Sequence, residues 1–337
     1  MWGPDGAAAH EERVLAAFGL KSCGGRKYRA FTLGAADGRV FGVRPAFSDI
    51  PAARAQIALA HAVKERLHDC GFGRVDRFRR SADGDPFVSW GGFLYVAERK
   101  FDINETDFGD AAAFLRAAEA AAAMHVVFVK APLPAGGFVP FQYNTESRFA
   151  AARDAFGQVV KRARSGRRLS DFDVCVLKNR EFYAGQLDEW REAAGRCDLD
   201  GMTRLAAESG FIAHNALREE SVLSDAAGVA IIDFLACSRG LFLSDLSSMI
   251  GRHFRASRSP APAAKIVETY NRRNPLTKRD TECLYALLKY PGKFLSVCES
   301  FYEKKRSFTP AAFLTRIEKV TAAQNAYAEY INEINHF

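Results

Sequence analysis

The chain has 337 residues, 48% apolar and 26% charged, which are globular values with room for two cores. A net charge of +7 permits acidic partners such as phosphates, nucleic acid or an anionic surface, and requires none of them. The seven cysteines are scattered, with no C-x-x-C pair and no nearby histidine spacing, which argues against a zinc site and for reduced, buried thiols. The opening MWGPDGAAAHEER lacks an apolar stretch behind a positive charge, and no apolar run reaches the ~18–20 residues that span a bilayer. Neither a signal peptide nor a membrane span is expected.

Residues 11–18 read as a short helix. Residues 28–33 and 39–44 read as strands around a turn at Ala35-Ala36-Asp37-Gly38. Pro45 is expected to end the second strand, because it has no N–H for a ladder. Residues 51–70 have the helical period, with Ile57, Ala60, Val63 and Leu67 on one face, Asp49 as cap and Gly71 as stop. Residues 75–78, 87–90 and 93–98 read as three more strands. The expectation for residues 1–98 is a five-stranded, mainly antiparallel sheet with one main helix between its second and third strands.

From residue 99 to 337 helices dominate, at 107–129, 145–164, 171–197, 203–208, 245–255, 261–271, 278–288, 293–305 and 310–334. One β-like stretch, 210–249, interrupts them. The predicted architecture is α+β and bilobal: a small sheet lobe, a connector near 95–102, and a large, mostly helical lobe.

The 210–249 stretch carries the chemistry. It contains His214-Asn215-Ala216-Leu217-Arg218-Glu219-Glu220-Ser221, then the apolar strand 229–232, then Asp233, and later Asp245. Phosphoryl transfer depends on positioning and charge neutralisation, and its loop pattern is H-x-D-x-x-x-x-N, followed by a metal-holding aspartate at a strand end. His214 and Asp233 match that pattern. Ala216 stands where the loop aspartate would be, and Ser221 where the asparagine would be. On the small sheet, Arg44 stands at the position of the nucleotide-binding lysine, a substitution that keeps charge but not geometry. Glu65 is the best candidate for the helix carboxylate that would pair with it; a solvated pair with Lys64 is the competing reading.

The pattern resembles the spore coat protein CotS family, a branch of the aminoglycoside phosphotransferase/choline kinase-like superfamily. The similar segments are 37–44, 67–72, the 214–221 loop with the Asp233 strand, Asp245-Leu246, and the aromatic and basic tail 287–308; together they cover roughly residues 10 to 335. The resemblance implies a bilobal protein kinase-like fold, with Asp245 a structural aspartate behind the loop. It further implies a role in building or maturing the endospore coat, with location in the mother-cell cytoplasm or on the coat and coat proteins as partners. ATP and Mg2+ are the cofactors it would suggest. The departures fall on the chemistry, at Ala216, Ser221 and Arg44, and on a polar hinge at 95–100.

The resulting expectation is a pseudokinase: the fold kept as a scaffold, no catalytic residue intact, and Asp233 the residue left that could hold metal. Two alternatives stay open. One is an ATP-dependent phosphotransferase using displaced groups such as Glu219 or Glu220. The other is a polyanion-binding module using Arg162, Arg164, Arg167, Arg168 and Lys304-Lys305-Arg306; nucleic acid is not the expected partner.

Overall fold

The computed structural model describes residues 4–23, 32–134, 144–165, 168–303 and 309–336. The small lobe is built on an antiparallel sheet in the order β1-β2-β3-β5-β4, from β1 (Lys21–Ser22), β2 (Thr32–Ala36), β3 (Arg39–Ser48), β4 (Val88–Trp90) and β5 (Phe93–Arg99). Asp37 and Gly38 join β2 to β3 with φ of 53° and 70°. Two consecutive positive φ values are what a tight two-residue hairpin needs, and an Asp-Gly pair supplies them. Alternation along the strands assigns the faces. Phe41 and Val43 of β3 and Ala97 of β5 pack with Val14 and Leu15 of α1 (Pro4–Ala17) and with Phe18 and Leu20 just beyond it. Leu94 and Val96 of β5 turn the other way, into the core shared with α2 (Pro51–Asp69).

Several local expectations give way here. Pro45 does not end its strand. β3 runs on to Ser48 through a register shift between Pro45 and Phe47, so the missing N–H is accommodated at a bulge. Residues 75–78 form no strand; single bridges tie Val75 to Ile231 and Phe78 to Glu98. The fifth strand is instead Lys21–Ser22, while the expected strand at 28–33 lies largely outside the described residues. Asp49 does not cap α2, whose N-cap is Ile50; it pairs with Arg54 and Ser89. Gly71 stops the helix as expected, at φ 86°.

In the large lobe the central element is α3 (Ala111–Lys130), capped by Asp110, whose side chain accepts from Ala113 N–H. It is long and apolar enough to cross a membrane, contrary to the expectation from the sequence. Half of its most apolar window is buried, however, and Phe114, Ala117, Ala118, Ala121 and Ala122 pack into the main core. The next helices are α4 (Thr145–Ser165), α5 (Asp171–Lys178), α6 (Arg180–Arg196) and α7 (Leu199–Glu208). The single helix expected over 171–197 breaks at Asn179.

A short β region follows. β7 (Ile212–Ala213) pairs with β10 (Ser238–Arg239), and between them the hairpin of β8 (Val222–Asp225) and β9 (Gly228–Ile231) adds β6 (Asn104–Glu105) at its edge. The chain closes with α8 (Leu243–Ala256), α9 (Ala263–Asn271), α10 (Lys278–Lys289), α11 (Gly292–Tyr302), α12 (Pro310–Ala322) and α13 (Gln324–Asn332). Residues 310–334, read as one helix from the sequence, thus form two.

One hydrophobic cluster runs through both lobes. It joins Ile57, Val63 and Leu67 of α2 to Phe234, Leu235, Met249 and Ile250. Gln56 on α2 reinforces the junction, donating to the carbonyls of Leu235 (3.0 Å) and Cys237 (2.8 Å). A second core sits apart, where Phe149, Phe156, Phe172, Tyr183, Trp190 and Phe294 fasten α4, α5, α6 and α11 together.

Candidate functional site

The 214–221 loop is held from behind by one carboxylate. Asp245, fully buried in the first turn of α8, accepts the backbone N–H of His214 at 2.6 Å and of Asn215 at 2.7 Å. His125 of α3 reaches the same carboxylate at 3.1 Å through Nε2 and pairs with Tyr270 Oη at 2.7 Å through Nδ1. His214 is buried between strands. Its Nε2–H donates to Ile232 O at 3.0 Å, and its Nδ1 accepts the Ala216 N–H at 3.2 Å. This bonding fixes one neutral tautomer, and burial lowers the pKa of the ring to match. His214 and Asp245 are therefore architectural groups.

The groups in front of the loop are committed elsewhere. Ala216 carries no acid or base. The Ser221 hydroxyl lies 2.6 Å from Ala216 O, to which it donates, and accepts the Arg218 N–H at 3.0 Å. It closes the loop on itself. Glu219 and Glu220, the displaced acids considered above, face Arg252 at 3.6 Å and Arg218 at 3.3 Å.

Asp233 has φ 66°, and its N–H donates to Asp76 Oδ2 at 2.9 Å. Its carboxylate meets two guanidiniums: Arg44 Nη2 lies 2.9 Å from Oδ1 and Arg218 Nη2 lies 3.8 Å from Oδ2. Arg44 also donates through Nε to Glu98 at 3.1 Å. Burial opposes its charge, but Glu98 and Asp233 outweigh burial and raise its pKa.

Behind Arg44 lies the group that the sequence reading missed. Lys64 of α2 is completely buried. It donates to Glu98 Oε1 at 2.9 Å and to the Asp76 carbonyl at 3.0 Å, with Asp76 Oδ1 at 3.1 Å. Its ammonium lies 3.7 Å from the centre of the Phe78 ring. Glu65, expected to pair with Arg44, points away and binds Arg77. The helical period could have shown this. At roughly 100° per residue, position 64 falls on the stripe of Ile57, Ala60, Val63 and Leu67, whereas 65 falls nearly opposite. Glu98 was legible in the same way, following Leu94 and Val96 on the inward face of β5. Asp76 and Arg218 carried no local signal.

The result is a chain of alternating charges, Arg218–Asp233–Arg44–Glu98–Lys64–Asp76, drawn from both lobes. Three cations balance three anions. Glu98 faces two of the cations, and although burial works against its charge, Lys64 and Arg44 keep its pKa low. Asp76 has one cation, and burial pushes its pKa up to about 7. A magnesium ion requires several oxygen ligands in near-octahedral array. Asp233 is engaged by arginines, Ser221 by its own loop, and among the described residues no cluster of three His, Cys, Asp or Glu is placed to hold a metal. The residues present do not fit Mg2+ as arranged, and Arg44, turned to two carboxylates, does not project a free cation toward nucleotide phosphates.

No protein-family model and no curated protein sequence matches the chain. Solved structures do. An aminoglycoside phosphotransferase from Alicyclobacillus acidocaldarius superposes with a TM-score of 0.80 at 15% identity, over 96% of this chain and 95% of that one. A spectinomycin phosphotransferase gives 0.61 at 11% identity, covering 93% and 97%. A choline kinase from Cryptosporidium parvum gives 0.52 at 9% identity, covering 94% and 92%. At such identities the likeness concerns the fold, and it is near full length in both directions: the chain is a bilobal α+β protein with the kinase-like fold.

Proposed function

We propose that the chain is a pseudokinase, a kinase-like scaffold whose cleft is closed by an internal ion-pair chain. The observation that carries this is the state of Asp233. The one surviving metal-ligand position is engaged by Arg44 and Arg218, while Ala216 stands where the substrate-orienting acid belongs. Loss of a positioned general base is typically worth ~10²–10⁴ in rate, and the arginines displace the metal clamp as well. Four substitutions, made as two pairs, test the proposal. Ala216→Asp with Ser221→Asn restores the loop pattern, yet turnover of ATP is expected to stay at background until Arg44→Lys and Arg218→Ala free Asp233. Turnover by the loop double variant alone would refute the inhibitory role of the arginines; turnover by the unaltered chain would refute the pseudokinase reading.

The scaffold role we assign is assembly of the endospore coat, the role implied by the resemblance of the residue patterns at 37–44, 67–72 and 287–308 to the CotS family. A fluorescent fusion followed through sporulation in a sporulating host should collect at the forespore surface. Uniform mother-cell fluorescence throughout would count against it.

A further inference from the structure

A cavity of about 320 Å³ opens in the large lobe where its two cores meet. One wall belongs to the main core, through Thr203 of α7, Ser238 of β10 and Ser244 of α8. The other belongs to the second core, through Arg148 of α4 and Tyr290, the residue that caps the end of α10. The Tyr290 ring stands 4.9 Å from that of the fully buried Trp190, which fixes this wall to the second core. Leu241 and Leu287 add apolar surface. Gly240 leaves part of the lining bare, since a Cβ there would meet nothing within 4 Å. The volume is within the range of small-molecule pockets, and a junction between packed units is a common place for one.

The polar groups of the lining have a definite sense. Thr203 and Ser244 spend their O–H groups on the carbonyls of Leu199 and Leu241, both at 2.9 Å, and keep oxygen lone pairs to accept with. Ser238 Oγ already accepts from Asn215 Nδ2 at 2.8 Å, which leaves its own O–H to donate. Burial raises the Tyr290 pKa, so that hydroxyl stays neutral. Arg148 supplies the charge. Its guanidinium carbon lies 5.7 Å from the centre of the Tyr290 ring, a cation–π contact that holds it at the cavity. Five N–H donors leave a guanidinium able to serve several partners at once. Among the described residues that line the cavity, none carries a carboxylate. The acid two positions before Arg148, Glu146, is turned to Arg191 at 2.8 Å.

One cation, apolar surface, hydroxyl oxygens and no acid select a ligand of matching kind. A single guanidinium fork fits one carboxylate, whereas a doubly charged phosphate calls for more positive charge than the lining has. We propose that this cavity binds a small organic monocarboxylate, with its acid group on Arg148, its apolar body against Leu241, Leu287 and Tyr290, and a hydroxyl of its own toward Ser244 or Thr203. A cationic amine would be disfavoured there. The site goes beyond the pseudokinase reading and does not rest on it, because neither Asp233 nor its two arginines lines the cavity.

The test uses the full chain with 4-hydroxybenzoate as probe and 4-hydroxybenzamide and tyramine as its neutral and cationic counterparts. Calorimetry should show saturable binding of the acid at sub-millimolar Kd, with a rise of about 2 °C in the unfolding midpoint at ten times that concentration. The amide should bind about tenfold more weakly or worse, and tyramine should show no saturation. Arg148→Gln should bring the acid down to the affinity of the amide. Leu287→Trp, which fills the cavity from a half-buried position, should abolish binding of both. Each variant's unfolding midpoint without probe shows that it is folded. Arg153→Gln, an exposed arginine paired with Asp188 elsewhere, should bind the acid as the unaltered chain does. No saturable binding of the acid, equal affinity for acid and amide, or unchanged affinity in Arg148→Gln would overturn the site.

Discussion

Replacing Glu98 by glutamine isolates the centre of the charge chain. The substitution keeps the shape and removes one negative charge from between Lys64 at 2.9 Å and Arg44 at 3.1 Å. Lys64 has no exposed surface, so its charge cannot turn to water. Removing one partner of a buried, hydrogen-bonded pair typically costs about 3–5 kcal/mol, because the other charge is left uncompensated. With ~2.1 cal/mol/K of unfolding entropy per residue, a chain of 337 residues has an entropy near 0.7 kcal/mol/K, and the loss corresponds to a fall of about 4–7 °C in the unfolding midpoint. The pH dependence follows from the same contacts. Because the folded pKa of Glu98 lies below its ordinary 4.5, its contribution is present above that value and lost as pH falls through the lower folded one. The deficit of Glu98→Gln should therefore shrink in acid. Adding Lys64→Met should recover part of it, since removing both charges is less costly than stranding one. Thermal unfolding by circular dichroism, at pH 7.5 and again below pH 4.5, reads all three. A fall under about 1 °C, or strict additivity with Lys64→Met, would refute the reasoning.

The other predictions concern the frame around the loop. Asp245→Ala strands two backbone N–H groups and His125 in the core, and at about 1–3 kcal/mol per orphaned group should destabilise by 3 kcal/mol or more, read as a lower denaturant midpoint. Gly210→Ala places a Cβ 2.6 Å from Leu133 O at φ 78°, and should cost ~2 kcal/mol or more in the same measurement. Burial lowers the pKa values of His61, His214 and His253, so their contribution is present above 6.5 and is lost as pH falls below it. Asp76, at about 7, acts oppositely: its folded pKa lies above 3.8, so it adds stability as pH falls through 7. Between pH 7.5 and 5.5, His214→Gln should flatten the acid loss of stability and Asp76→Asn should steepen it.

Much of the architecture was legible because periodicity and turn chemistry are local. The Asp37-Gly38 hairpin, the stripe of α2 and its stop at Gly71 all follow from residue types at short range. The misreadings have physical causes. Pro45 reads as a terminator from the sequence, although a bulge leaves its nitrogen without need of a partner. Residues 75–78 look like a strand but spend their backbone on single bridges to Ile231 and Glu98. In the site, the loop positions were legible by spacing, so Ala216, Ser221 and Asp233 could be placed in advance. What Asp233 touches was not, because Arg44 is 189 positions away in sequence and the contact exists only once the lobes close. The exchange of Glu65 for Lys64 was different in kind. One step of 100° separates them, and the apolar stripe favours Lys64, but charge on a helix is so commonly exposed that the sequence alone reads Lys64 and Glu65 as a solvated pair.

The most direct measurement is ATP titration of the full chain with and without Mg2+, following heat and ADP formation together. The account predicts that Mg2+ adds nothing to any ATP binding and that ADP stays at background, because Arg44 and Arg218 hold the carboxylate the metal would need. A magnesium-dependent gain in affinity, with ADP formation abolished by Asp233→Asn, would contradict it.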